Sequence, residues 1–397
     1  MSGKTPFSFD LETSPGGPVA ARAGKLLTSH GALRTPAFMP VGTLAAVKAL
    51  SADDVVSAGA EILLVNAYHL FLRPGHQTIE RLGGVHRFMG WDGPILSDSG
   101  GYQVFSLASM RRVDENGVRF RSHLDGSEHD YSPETAMEAQ RALGVDIAMP
   151  LDHVVAGDAD PAEAKDAAER TVRWYERCRR AAEELVTFAI IQGGTDGKLR
   201  TWHARTLRGM DPPGYAIGGL SVGESKEAMW AMTEVVTAEL PVERPRYLMG
   251  VGSPEDLVQG VMRGVDMFDC VLPTRLGRTG SLFTDAGRVN VKSARFREDD
   301  RPLDDSFEPL RGYSWAYLHH LFRNDELLSY RLATLYNLHY LARLMEDLRL
   351  SIQSGSIDRF ASDFLEGYRS TDERVRAEQR KKWRRSEAGS GREVGGE

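Results

Sequence analysis

The chain repeats one short pattern. A run of apolar residues ends in glycine or a polar residue, and a helix-like stretch follows. EILLVNAY (Glu61 to Tyr68) and PILSDSGG (Pro94 to Gly101) are two such runs. GVDIAMPLD (Gly144 to Asp152) precedes ADPAEAKDAAERTVRWYERC, and FAIIQGG (Phe188 to Gly194) precedes KLRTWHARTL. GYAIGGLSVG (Gly214 to Gly223) precedes KEAMWAMTEVV, and RYLMGVG (Arg246 to Gly252) precedes PEDLVQGVMRG. GVDMFDCVLP (Gly264 to Pro273) closes the series. Taken singly, such runs also fit buried helix. Their alternation with helical segments predicts βαβ units and a parallel sheet. Many units without a dinucleotide-binding glycine fingerprint favour a closed (β/α)8 TIM barrel over an open sheet.

In such a barrel the C-terminal strand ends share one face, where active sites lie. The residues that break the apolar pattern sit at those ends: Asp98, Asp152, Gln192, Gly218, Gly219, Gly250 and Asp269. A strand-end aspartate also serves as the N-cap of the next helix. Three of them on one face invite a second reading. Paired carboxylates flanking one site suit glycosidic-bond chemistry, one attacking or stabilising the sugar and the other moving a proton. Asp98 and Asp269 are the natural pair.

The surroundings suit a planar, donor-rich heterocycle attached to that sugar. Gly100 and Gly101 leave room beside Asp98 for a flat ligand. Tyr102 offers a stacking face. Gln192 and the amides of Gly218 and Gly219 can bond a carbonyl oxygen, unless Gln192 is a structural amide. Asp152 matches two adjacent N–H donors of a guanine edge. Met249 is either core or the opposite wall of a base sandwich. TRLGRTG (Thr274 to Gly280) sets two arginines among glycines, a pattern able to hold phosphate or a neighbouring base. His319 and His320, in AYLHHL, read as packing or capping groups.

Composition narrows the partners. A formal net charge of −7 over 397 residues gives no global attraction to nucleic acid. One basic cluster stands out: RVRAEQRKKWRR, Arg374 to Arg385, with seven cations and one anion. It is either a solvated helix or an arm that contacts phosphate. The two cysteines, Cys178 and Cys270, are too few for a disulfide scaffold or a thiolate-rich zinc site, which makes a cytoplasmic home the expectation. No N-terminal apolar stretch reads as a signal peptide, and no run is long enough for a membrane span. VRFRSHLDGSEHDYS (Val118 to Ser132) reads as a hairpin turning at Asp-Gly, with Ser132 and Pro133 starting the next helix. Residues 313–354 read as nearly continuous helix. The domain expected spans residues 8–370, with a helical subdomain at 295–345 and a basic, partly disordered tail at 371–397.

LSDSGGYQVFSL, HLDGS, FAIIQGG, YAIGGLSVGES, RYLMGVGSPEDL and GVDMFDCVLPTR together carry a resemblance. The sequence resembles the tRNA-guanine transglycosylases, also called queuine tRNA-ribosyltransferases, from about Arg34 to about Phe364. The resemblance implies an irregular (β/α)8 barrel and a pentosyltransferase. It implies that Asp269 is the nucleophile on the ribose of a tRNA guanosine and that Asp98 is the general acid/base. It places Asp152, Gln192 and Gly219 on the edge of the base, with Ser99, Gly100, Gly101, Gly218 and Leu220 around it. Tyr102 and Met249 become the stacking walls. RNA contacts are implied for Gly250, Val251, Gly252, Ser253, Pro254, Glu255 and Asp256, and for Thr274, Arg275, Leu276, Gly277 and Arg278. The reaction implied replaces the wobble guanine of tRNAs with a GUN anticodon (Asp, Asn, His, Tyr) by 7-aminomethyl-7-deazaguanine, through a covalent ribosyl-aspartate, in queuosine biosynthesis. No cofactor is implied by that exchange.

Two departures from the family pattern matter. Relatives hold a structural zinc with three closely spaced cysteines and a downstream histidine. Here that stretch is RPLDDSFEPLRGYSWAYLHH, Arg301 to His320, without cysteine, and Tyr336 takes the histidine's place. His339 alone makes no zinc site. The expectation is therefore no zinc, with Phe307, Leu310 and Tyr336 packing the space. In relatives this region helps form a homodimer, which leaves the dimer open here. The second departure concerns the incoming base. Val154 stands where bacterial relatives usually carry cysteine, as in enzymes that take queuine, whereas Val222 matches the bacterial choice. The aminomethyl precursor is favoured over queuine; a non-catalytic tRNA-binding paralogue is the other reading, and the presence of both Asp98 and Asp269 argues against it.

Overall fold

Ile95 to Asp98 are all buried, and so are Leu63 to Asn66. A strand buried on both faces needs apolar residues at odd and even positions alike, which is what the short runs supply. The computed structural model describes residues 6–13, 20–107, 111–156 and 159–369. The tail Arg374 to Arg385 lies outside these.

The runs fold as parallel strands in two five-stranded sheets. In chain order they are β1 (Ala37–Met39), β2 (Val41–Gly42), β3 (Leu63–Asn66), β4 (Ile95–Asp98), β5 (Ile147–Ala148), β6 (Val186–Thr187), β7 (Ala189–Ile191), β8 (Tyr215–Ile217), β9 (Arg246–Leu248) and β10 (Met267–Asp269). One sheet has the order β6-β5-β4-β3-β2 and the other β7-β8-β9-β10-β1. Register pairs Asn66 with Asp98 in the first and Asp269 with Met39 in the second. Only Pro40 separates β1 from β2, and only Phe188 separates β6 from β7.

Side chains alternate across these strands. Leu64, Leu96, Ile190, Ala216, Tyr247 and Met267 join one inner cluster. Their neighbours Leu63, Val65, Ile95, Ala189, Ile191, Tyr215, Ile217, Leu248 and Phe268 join the outer cluster that packs on the helices. The period of two fixes the next step. Asn66, Asp98, Gln192, Gly218, Met249 and Asp269 each follow an inner residue by two positions, so they form the layer above it. An antiparallel hairpin, Gly24–Thr28 with Gly31–Thr35, lies at the opposite end and sends the fully buried Leu26 and Leu33 into the same cluster. Arg22 anchors this hairpin: its Nε–H donates to Asp266 at 2.9 Å, and its Nη1–H donates to the Val242 carbonyl at 2.7 Å.

Helices flank the strands: α1 (Pro161–Ala181), α2 (Gly197–Arg208), α3 (Lys226–Thr237), α4 (Pro254–Met262), α5 (Leu272–Thr279), α6 (Leu327–Gln353) and α7 (Ile357–Gly367). The expected hairpin is present, with Gly117–Arg121 paired to Glu128–Tyr131, and Arg111–Asp114 adds a third strand that its charged sequence concealed. Ser132 caps the helix that begins at Pro133, accepting from Thr135 N–H. The helical pattern of 313–354 is broken once, between Trp315–Arg323 and α6. Asp152 is not at a strand end: β5 is two residues long and Asp152 lies in the irregular segment beyond it.

The segment Arg301 to His320 packs by aromatic contact. Phe307 stacks on His339 with ring centroids 3.9 Å apart, and Trp315 meets the Tyr336 ring edge-on at 5.7 Å. Leu310 is fully buried. Of the three side chains named from the sequence, Phe307 and Leu310 are buried and Tyr336 is half-buried. Asn337 on α6 then ties the region to the strands. Its amide donates to the carbonyls of Pro273 and Ser281, both at 3.0 Å, and its oxygen accepts from Phe283 N–H at 3.0 Å.

Candidate active site

Asp98 ends β4 and is buried. Its carboxylate accepts from the Asn66 side chain and from Ala67 N–H at 3.0 Å. Burial pushes its pKa up to about 7; bonds from Asn66, Ala67 and Gln103 oppose this, and the charge of Asp269 adds to it. The two carboxylates therefore share one field, although β4 and β10 belong to different sheets. A carboxyl held near neutrality can both give and take a proton.

Asp269 ends β10 and is half-buried. Its Oδ1 accepts from Tyr247 O–H at 2.6 Å and from Gly250 N–H at 2.7 Å. Both bonds fall on one oxygen, and no described group bonds Oδ2. Burial raises the pKa, while Tyr247 and Gly250 lower it. One oxygen is anchored and the other is free, the arrangement an attacking carboxylate needs.

Asp152, Gln192 and Ser99 form a second cluster. Gln192 Nε2–H donates to Asp152 Oδ2 at 2.7 Å, and Ser99 O–H donates to Asp152 Oδ1 at 3.3 Å. Burial lifts Asp152 to about 6 against these bonds. Tyr131 O–H holds the Ser99 carbonyl at 3.0 Å. The glycines after Asp98 serve this packing and do not leave open space, which corrects the sequence reading. A Cβ on Gly101 would fall 2.5 Å from Asp152 Oδ1, and one on Gly100 2.7 Å from Tyr68 Cβ. Gly219, with φ +61°, is confined in the same way: a Cβ would lie 2.2 Å from Gln192 Oε1. Gly218 and the buried Leu220 continue this wall. Tyr102 is half-exposed at the rim. Met249 is half-buried against the inner cluster.

The two stretches assigned to RNA are placed less favourably. Of Gly250 to Asp256, Gly250 is exposed and Ser253 half-buried, whereas Val251, Gly252, Pro254, Glu255 and Asp256 are buried. Lys226 Nζ holds Glu255 at 2.9 Å and Asp256 at 2.8 Å. Gly252 is there for packing, since a Cβ would meet Cys270 Cβ at 2.4 Å. Thr274 to Arg278 lie on α5. Thr274 and Gly277 are buried, Leu276 is half-buried, and Arg275 and Arg278 are exposed.

Sequence reasoning missed Asn66, Tyr247, Arg200 and His203. The first two are inner-layer positions, and period two could have found them. Arg200 and His203 sit on α2 and are fully buried. One further group has metal-ligand composition: His30, His86 and Asp146 hold their ligating atoms within 4.8 Å of one another. The two imidazoles are stacked at 3.6 Å and inclined by only 16°, so their in-plane lone pairs run side by side and do not converge. Asp146 already accepts from His30 Nδ1 at 2.8 Å and Ile95 N–H at 2.9 Å. This is a clasp at the start of β4 and β5.

Comparison with known proteins gives the family. A family model described as queuine tRNA-ribosyltransferase matches residues 18–370. A queuine tRNA-ribosyltransferase of Moorella thermoacetica is 52% identical over 354 residues, covering 88% of this chain and 95% of the relative. One from Dictyoglomus turgidum is 50% identical over 370 residues, covering 91% and 95%. One from Dehalococcoides mccartyi is 49% identical over 388 residues, covering 96% and 98%. On sequence, on strand pattern and on these matches, the chain belongs to the queuine tRNA-ribosyltransferase family.

Proposed function

We propose that this chain is a tRNA-guanine transglycosylase, exchanging guanine in tRNA for a 7-deazaguanine during queuosine synthesis. One observation supports the chemistry: the carboxylates of Asp98, buried, and Asp269, half-buried, end two inner-layer strands, act on one another through charge and differ in how they are held. Asp269 Oδ2 attacks ribose C1′ as the bond from C1′ to guanine N9 breaks. Asp98 gives its proton to the departing base. The ribose is then an ester of Asp269. A 7-deazaguanine enters, Asp98 takes the proton from its N9, and N9 displaces Asp269 from C1′. Two inversions give retention. The bonds broken and formed are of one kind, so the exchange draws on no nucleotide.

The substrate is a tRNA with a GUN anticodon, and the base is 7-aminomethyl-7-deazaguanine. Val222 at the base wall favours that base over queuine, and the buried Val154 is the observation that favours queuine. Asp152, Gln192 and Gly219 read the base between Tyr102 and Met249. The two parallel sheets are arcs of one (β/α)8 barrel, because ten strands merge pairwise at Pro40 and Phe188 into eight. The aromatic packing of Phe307, His339, Trp315 and Tyr336 stands in for the family's zinc, and the enzyme works without metal. Tyr317 and Leu327 are exposed in this helical region and offer an apolar face to a second copy, the arrangement that the resemblance leaves open. Its free cysteines suit the cytoplasm.

The test is exchange of radiolabelled guanine into unmodified tRNA by purified protein, with both deazaguanines as competing acceptors. Wild type is expected to exchange, and Asp269→Asn to lose at least about 10⁴-fold in rate while remaining folded. Exchange surviving in Asp269→Asn, or absent from wild type, overturns this reading. Light scattering in solution tests the dimer.

A further inference from the structure

Arg200 is fully buried and has no carboxylate within hydrogen-bond reach among the described residues. A guanidinium in that position needs an explanation, because burying an unpaired charge is costly. All its bonds go to backbone carbonyls at two adjacent strand ends. Nε–H donates to Gly194 at 2.6 Å and Nη1–H to Ile191 at 3.4 Å. Nη2–H donates to Gly218 at 3.0 Å and to Gly219 at 3.2 Å. Its stem lies against Gly193, where a Cβ would fall 2.9 Å from Arg200 Cγ.

One helical turn on, His203 acts on the same loop. Its Nδ1 accepts from Gln192 N–H at 2.9 Å. Residues spaced by three lie on one helix face, so α2 presents both side chains to the β7 and β8 ends together. Burial holds the His203 pKa down at about 3 and brings Arg200 to about 10. The pair is thus a neutral acceptor and a cation throughout the physiological range.

We propose that Arg200 is a positioning residue for base recognition: by gripping the Gly218 and Gly219 carbonyls it sets which way the amides of Gly219 and Leu220 point. These peptides are trans, so each N–H is opposite its carbonyl. With both carbonyls turned to Arg200, both N–H groups turn away from it, ready to meet an acceptor oxygen on the bound base. The guanidinium also polarises the peptide it holds, which strengthens the N–H at the other end. His203 fixes the Gln192 backbone beside it. Glu224 acts on Arg200 only through its charge, so the hydrogen bonds are left to the carbonyls.

This inference rests on the proposed function. The experiment compares wild type, Arg200→Lys and Arg200→Gln in the guanine-exchange assay, measuring KM for free guanine and KM for tRNA separately, with melting temperatures alongside. Lys keeps the charge and loses the fork; Gln keeps one donor group and loses the charge. Both variants are expected to raise the guanine KM about tenfold or more and to leave the tRNA KM within about twofold, with Lys the milder. A guanine KM unchanged in both folded variants, or a rise shared equally by tRNA, overturns the positioning role alone. A simple loss of packing would lower the melting temperature without separating the two constants. Wild-type protein that exchanges nothing overturns the functional reading, and this inference with it.

Discussion

Asp98 shows how one residue couples the chemistry to stability. Its folded pKa of about 7 lies above its ordinary 3.8. Between these values the folded chain keeps a proton that the unfolded chain has released. Stability therefore falls as pH rises through that window. Asp98→Asn removes this term. The variant is expected to gain on wild type by about 1–3 kcal/mol between about pH 5 and about pH 8, read as a growing difference in melting temperature by calorimetry. A constant difference would show that Asp98 titrates normally. The aspartate pair was legible in the sequence because each ends an apolar run. Period two then carries both onto the face of Leu96 and Met267. Arg200 and His203 were not legible. KLRTWHARTL reads as an ordinary surface helix, and nothing in its spacing tells which charged residue is turned inward.

At the scale of elements, TRLGRTG set two arginines among glycines as a pattern able to hold phosphate, and it winds as α5 and packs on α6. Gly277 is the contact: a Cβ there would fall 2.6 Å from Thr334 Oγ1 and 2.9 Å from Thr334 N. Gly277→Ala is expected to cost about 1–3 kcal/mol in denaturant unfolding, as overpacking does. No stability loss would return Gly277 to a role in RNA contact. Glu255 and Asp256, implied as RNA contacts by the resemblance, are buried and paired with Lys226, far off in sequence. Phe307, named from the sequence as a packing residue, is buried and stacks on His339. Phe307→Ala removes the ring stacked on His339 and is expected to cost about 3 kcal/mol, seen as lost protection of amides in 301–323 by hydrogen exchange.

For the whole molecule, the reading of the 301–320 region has a direct check. Prolonged chelation is expected to leave both the melting temperature and the exchange rate unchanged, whereas a hidden zinc would make both fall. Deleting residues 371–397 is expected to weaken tRNA binding and to flatten its dependence on salt. An unaltered slope would remove the basic tail from the interface. No helix among the described residues is long and apolar enough to cross a membrane.

The hairpin that drives Leu26 and Leu33 into the inner cluster seals the floor beneath Asp98 and Asp269. In the proposed exchange, bases can then come and go only on the side away from that floor. An expelled guanine would have to clear out before its successor came in, so the two nucleobases would queue and never lodge side by side. Accumulating guanine will therefore hold back turnover by occupying the newcomer's berth.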